Sequence, residues 1–72
     1  MNITELRYLV AIKKWGSVSA AAKQLYAAQP NVSKALKKLE EEYGLRIFER
    51  SSTGMIPTEQ GRRFIEQAAR VL

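Results

Sequence analysis

The 72-residue chain has no cysteine and no histidine. The first absence removes disulfides and thiolate nucleophiles, and the second removes imidazole bases. Together they remove the usual zinc sites. Carboxylates, lysines and serines remain, but none stands beside an obvious activating partner. No catalytic residue, no metal site and no cofactor are therefore expected in this domain. The apolar runs are far shorter than the roughly 20 residues a membrane-spanning helix needs. The opening MNITELRY carries an acidic residue early and shows no signal-peptide pattern. A cytoplasmic protein with no membrane partner is the simplest expectation. The size permits one small domain, with a core that is marginal without a partner or a longer parent chain.

Acidic charge is scarce in one half. Residues 1–39 hold seven Lys or Arg and one Glu, whereas residues 40–72 hold five and six. The net charge of +5 is thus concentrated N-terminally, which points to a nucleic acid or an anionic membrane surface.

The basic half contains QPNVSKALKKLEEEY, residues 29–43. At roughly 100° per residue, Val32, Ala35, Leu36, Leu39 and Tyr43 gather on one helical face, which reads as core. Pro30, Ser33, Lys34, Lys37 and Glu41 gather opposite, with Asn31 and Lys38 on the flank. Short side chains near the start let the backbone of such a helix approach a phosphate-lined groove, and the lysines meet the charge. An isolated basic helix is also compatible with a merely solvated surface. The segment in front of it decides between the two.

Asn2 and Glu5 have capping-box spacing, so a first helix should begin at about Ile3. Leu6, Leu9 and Val10 form its expected inner stripe, Tyr8 and Ile12 blur that face, and Trp15 closes it as a lid on the core. Lys13 and Lys14 suit the negative end of the helix dipole, and Gly16 stops the helix. Ser17 then caps a short helix, Val18 to Leu25, whose inner residues are Val18, Ala21, Ala22 and Leu25. Ala20, Ala21 and Ala22 allow another helix to cross closely. Tyr26, Ala27 and Ala28 form a connection, and Gln29-Pro30 opens the third helix, where proline suits the first turn. Two helices joined by a turn of about three residues are the helix-turn-helix layout, here at about residues 18–37.

Glu40, Glu41 and Glu42 read as a solvated face before the Gly44 stop. LRIFER, residues 45–50, has the composition of a strand; Ser51-Ser52-Thr53-Gly54 is a turn-rich tip; and Met55 to Pro57 returns as an edge strand. A hairpin just behind such a helix is a wing, at about residues 45–57, with Phe48 and Ile56 as its expected anchors. Arg50 and the small polar tip are placed to reach a phosphate or the minor groove, the plainer alternative for Arg50 being an ion pair with a nearby Glu. Thr58 caps a last helix whose apolar stripe, Gly61, Phe64, Ile65, Ala68, Val71 and Leu72, runs to the final residue. The expectation is a piece of a longer protein whose last helix pairs with the same helix of a second copy through Phe64, Ile65, Ala68, Val71 and Leu72. Packing of that stripe against the first helix is the simpler alternative, and the two are compatible.

LRYLVAI, GSVSAAAKQL, QPNVSKALKKLEEEYG, IFER and PTEQG, in this order and spacing, resemble the N-terminal DNA-binding domain of LysR-type transcriptional regulators over essentially the whole chain. The resemblance implies a mainly α fold: a winged helix-turn-helix with three helices, a two-stranded wing and a C-terminal linker helix. The DNA-binding domain would occupy residues 1–58 and the start of the linker helix residues 58–72. An effector-sensing C-terminal domain, with its small-molecule effector, would lie outside this chain. Base reading is implied for Gln29, Pro30, Asn31, Ser33 and Lys34, and backbone contact for Lys37 and Lys38. Ser17 resembles the residue that caps the second helix and touches a phosphate, and Ser52, Thr53 and Gly54 resemble the wing tip that approaches the minor groove. Implied partners are double-stranded DNA, a second copy of the chain, and RNA polymerase through the full-length protein. Three positions depart from the family pattern. Ala28 stands where Ser or Thr often caps the third helix. Lys34 stands where Arg is common, and Lys cannot form the same bidentate pair with guanine. The wing tip lacks the arginine that many relatives carry.

The resulting expectation is a sequence-specific DNA-binding domain that acts as a dimer on an interrupted inverted repeat. A winged-helix domain used for protein–protein contact is the alternative, and it would present an apolar rather than a basic ridge.

Overall fold

The computed structural model describes residues 1–71. Four helices and one hairpin follow in order: α1 (Ile3–Trp15), α2 (Val18–Leu25), α3 (Gln29–Tyr43), β1 (Phe48–Ser51), β2 (Gly54–Pro57) and α4 (Glu59–Val71). Their ends obey local chemistry. Asn2 and Glu5 form a reciprocal capping box, in which the Glu5 N–H donates to Asn2 Oδ1 at 2.8 Å and the Asn2 N–H donates to Glu5 Oε1 at 3.0 Å. Ser17 Oγ accepts from the Ala20 N–H at 2.9 Å, and Thr58 Oγ1 accepts from the Gly61 N–H at 2.9 Å. Gly16 and Gly44 end α1 and α3 in the left-handed conformation, which glycine adopts without a Cβ clash.

The core is shared by all three N-terminal helices, the residues leading into the wing, the first residue of β1 and the last helix. Leu9, Ala11, Ile12, Ala21, Ala22, Val32, Leu36, Leu39, Ile47, Phe48 and Ile65 are its buried members. In α1 the inner face is therefore Leu6, Leu9 and Ile12. Val10, expected inside, is exposed, and Trp15 is no lid, because its side chain remains 45% exposed with Lys14 Nζ 5.2 Å from its ring. Tyr43, expected on the core face of α3, sits at the rim, with its ring 4.8 Å from that of Phe64.

The hairpin is shorter than its sequence indicates. Leu45, Arg46 and Ile47 precede the strand, and Glu40 explains why. Its carboxylate accepts the Ile47 N–H at 2.8 Å and the Phe48 N–H at 3.4 Å. Glu40 is thus a structural acceptor rather than part of a solvated face. The Thr58 N–H donates to the Ile47 carbonyl at 3.0 Å, and Gly61 packs so tightly on that carbonyl that a Cβ would overlap its oxygen. Ile47 is consequently fully buried, and it anchors the wing together with Phe48 and Met55. Ile56, the expected anchor, points outward and is 45% exposed. The antiparallel register pairs Phe48 with Pro57 and Ser51 with Gly54, which leaves Ser52 and Thr53 as the tip.

In α4, Gly61, Ile65 and Ala68 are buried within the domain, and Phe64 is half-buried against Tyr43. The pairing surface expected of this helix thus divides. Ile65 and Ala68 lie inside the domain, and Val71 is the large apolar residue left open, at 84% exposure. Leu72 lies outside the described residues.

Candidate nucleic-acid interface

Helix α3 enters from Ala28, whose methyl side chain offers no acceptor. The Ala28 carbonyl accepts the N–H groups of Asn31 and Val32 at 3.0 and 3.3 Å, and Pro30 has no N–H to satisfy. Among the described residues no side chain caps the positive end of this helix, so its partial charge is open to an anion. Gln29, Pro30, Asn31, Ser33, Lys34, Lys37 and Lys38 are all exposed. They form a crest with a depression on either side.

The first depression lies between α3, the start of α2 and the wing, and measures about 310 Å³. Gln29 and Ser33, one turn apart, line it with Ser17, Arg50 and Gly54. Its shape depends on a backbone contact: the Met55 N–H donates to the Gly16 carbonyl at 2.8 Å, docking β2 on the α1–α2 junction. Gly54, at φ 133°, comes so near that a Cβ would stand 2.6 Å from the Gly16 oxygen. Ser17 accepts the Ala20 N–H, yet a hydroxyl is also a donor. Its own proton has no partner among the described residues and can serve a phosphate oxygen. Arg50 is exposed and forms no ion pair among the described residues. The alternative of a salt bridge to a nearby Glu is therefore not realised. At the tip, Ser51 Oγ donates to the Gly54 carbonyl at 2.8 Å and accepts the Thr53 N–H at 3.3 Å. The turn is stiffened by its own hydroxyl, and Ser52 and Thr53 are held out to solvent beyond the cleft.

The second depression lies between α3 and the start of α1. Asn31, Lys34 and Lys38 line it with Asn2, Thr4, Glu5 and Tyr8. Here one lysine is already engaged: Lys38 Nζ lies 3.2 Å from Glu5 Oε2. The Asn2 backbone hydrogen bond holds the Glu5 carboxyl below its ordinary value of 4.5, assisted by Lys38 and opposed by burial. The sequence showed Glu5 as a capping residue, but its second oxygen, and the residue that oxygen meets 33 positions away, were not visible there. Lys37 stands apart from both depressions, beside Glu40, Glu41 and Arg46 on a shallow surface.

Thus Ser17, Gln29, Ser33, Arg50 and Gly54 converge on one cleft, and Asn31, Lys34 and Lys38 on the other. Pro30 and Lys37 belong to the crest. Among the described residues no cluster of acidic side chains could hold a metal ion, and no helix is long and apolar enough to cross a membrane.

The family model described as bacterial regulatory helix-turn-helix protein, lysR family, matches residues 3–62. Among curated relatives, the HTH-type transcriptional regulator TfdS of Cupriavidus pinatubonensis (strain JMP 134 / LMG 1197) is 42% identical over 72 residues, covering 100% of this chain and 24% of its own length. The probable HTH-type transcriptional regulator LrrA of Synechococcus elongatus is 43% identical over 72 residues, again 100% of this chain and 24% of the relative. The chain therefore spans about a quarter of the length of these relatives. Among solved structures, the CbnR DBD–DNA complex superposes with a TM-score of 0.88 at 35% identity, covering 99% of this chain and 82% of that one. The complex of the BenM DBD with benA site 1 DNA gives 0.87 at 37% identity, covering 99% and 80%.

Proposed function

We propose that this chain, which belongs to the LysR family of bacterial regulatory helix-turn-helix proteins, is a DNA-binding domain of a transcriptional regulator that reads its site with the start of α3. The observation that carries this reading is the exposed, uncapped first turn of α3, set between the Arg50 cleft and the lysine row. Proteins as similar as the CbnR and BenM domains are seen on DNA. In a major groove, Gln29, Asn31 and Ser33 present short or amide side chains to base edges, with Pro30 letting the backbone approach. Lys34, Lys37 and Lys38 are the candidate phosphate contacts, which order no sequence but set affinity and its dependence on salt. Ser17 and Arg50 grip the phosphate strand that crosses the cleft, and Ser52, Thr53 and Gly54 bring the wing tip along the minor groove.

The domain acts as a dimer on an interrupted inverted repeat, one α3 in each half-site. The open Val71 supports pairing through the last helix. Its task is binding rather than catalysis, exercised in the cytoplasm. Response to a small-molecule effector and contact with RNA polymerase belong to the whole regulator.

Two substitutions separate base reading from phosphate contact. Gln29→Ala should cost discrimination between a target duplex and its one-base variants by about 1–3 kcal/mol. Lys37→Ala should weaken binding to all duplexes alike and flatten the salt dependence. Competition binding with a panel of duplexes reads both effects. Unchanged site preference in Gln29→Ala would contradict the placement of α3.

A further inference from the structure

Glu5 belongs to α1, away from the residues that meet DNA in the reading above, yet it grips one of that reading's candidate lysines. Its two carboxylate oxygens are divided. Oε1 takes the Asn2 N–H at 3.0 Å, and Oε2 takes Lys38 Nζ at 3.2 Å. The two partners differ greatly in freedom. The Glu5 side chain is 11% exposed and pinned by the capping box, whereas Lys38 is 64% exposed on a long flexible stem. Any movement toward a phosphate must therefore be made by Lys38. If it leaves, a part-buried carboxylate gives up its counter-charge, which opposes the move. If it stays, its charge is already neutralised and releases few counterions from the duplex. Lys34, one turn back on the same edge of α3, forms no ion pair among the described residues.

We propose that Glu5 is a positioning residue for DNA binding, which holds Lys38 against α1 and so removes one cation from the phosphate-contacting row of α3. The domain's affinity is thereby set below what its lysines alone would give. This inference rests on the DNA-binding reading above, and the test separates the two.

Glu5→Gln keeps a side chain that can close the capping box but removes the charge that retains Lys38. Anisotropy titrations with a short duplex of arbitrary sequence, repeated over a range of salt, give the slope of log affinity against log salt. Glu5→Gln should bind more tightly at low salt, with a slope steeper by about 0.9, the increment for one more neutralised phosphate. Adding Lys38→Ala to Glu5→Gln should remove that gain, which a general structural effect of Glu5 would not do. A slope equal to the wild type's, or a gain that survives Lys38→Ala, overturns the inference. Should Glu5→Gln not fold, Lys38→Ala alone, at an exposed position, reads the same point. Its slope should fall by less than half the fall seen in Lys34→Ala, and equal falls overturn the proposal. A wild-type chain that binds no duplex even at low salt overturns the DNA-binding reading as well. Binding that loses as much with Lys38→Ala as with Lys34→Ala overturns this inference alone.

Discussion

The helix-turn-helix and the wing are held in different ways. From α1 to α3, the helix ends are set by residues next to them in sequence: Asn2 with Glu5 and Gly16 for α1, Ser17 and the left-handed Tyr26 for α2, and the Ala28 carbonyl and Gly44 for α3. The wing has no such independence. Its two short strands are attached through the Glu40 carboxylate to Ile47 and Phe48, through the Gly16 carbonyl to Met55, and through the Thr58 N–H and the bare backbone of Gly61 to the Ile47 carbonyl. The ends of these helices are thus set locally by the sequence. The cleft beside α3, lined by Arg50, Gln29 and Ser33, exists only when distant parts of the chain are docked.

The contrast can be broken hardest at Gly61. Gly61→Ala forces a methyl into the Ile47 carbonyl and must separate α4 from the wing base. A loss of about 3 kcal/mol or more is expected in urea unfolding. Glu40→Ala should come next. It removes the acceptor of two backbone N–H groups at the buried wing base, at a cost of about 1–3 kcal/mol, and DNA affinity should weaken with it if Arg50 makes the phosphate contact proposed for it. Ser17→Ala removes a single cap and should cost about 1 kcal/mol, leaving the wing docked. Equal losses of stability from Glu40→Ala and Ser17→Ala would erase the distinction between the two regions. The smallest effect is that of pH on α1. The folded Glu5 carboxyl lies below its ordinary value of 4.5, so its stabilisation is complete above that pH. It is lost as pH falls through the lower folded value, as more protons bind to the unfolded chain. The thermal midpoint of the wild type should therefore converge on that of Glu5→Gln in acid. A gap that widens in acid would contradict the sign.

The same contrast explains what the sequence disclosed. Helix ends were legible because Ser17, Thr58, Gly16 and Gly44 act within a few residues of themselves, and the two-faced pattern of α3 needs no distant information. LRIFER carries strand composition from Leu45, but the backbone of Ile47 is taken by Glu40 and Thr58 before pairing begins. Composition cannot register a carboxylate seven residues back. Likewise α1 has large apolar residues around most of its circumference. Packing, not periodicity, puts Ile12 inside and leaves Val10 and Trp15 at the surface. The exposed row of α3 could be named from the sequence. Its division into an Arg50 side and a Glu5 side could not, because both neighbours arrive through the tertiary fold.

In the proposed function, α3 reads sequence while its lysines supply salt-dependent grip. Fluorescence anisotropy on two short duplexes decides this, one an AT-rich interrupted inverted repeat and the other its scramble, each at several salt concentrations. Tighter binding to the repeat, with affinity falling steeply as salt rises, is the expected result. No binding to either duplex even at low salt would contradict it.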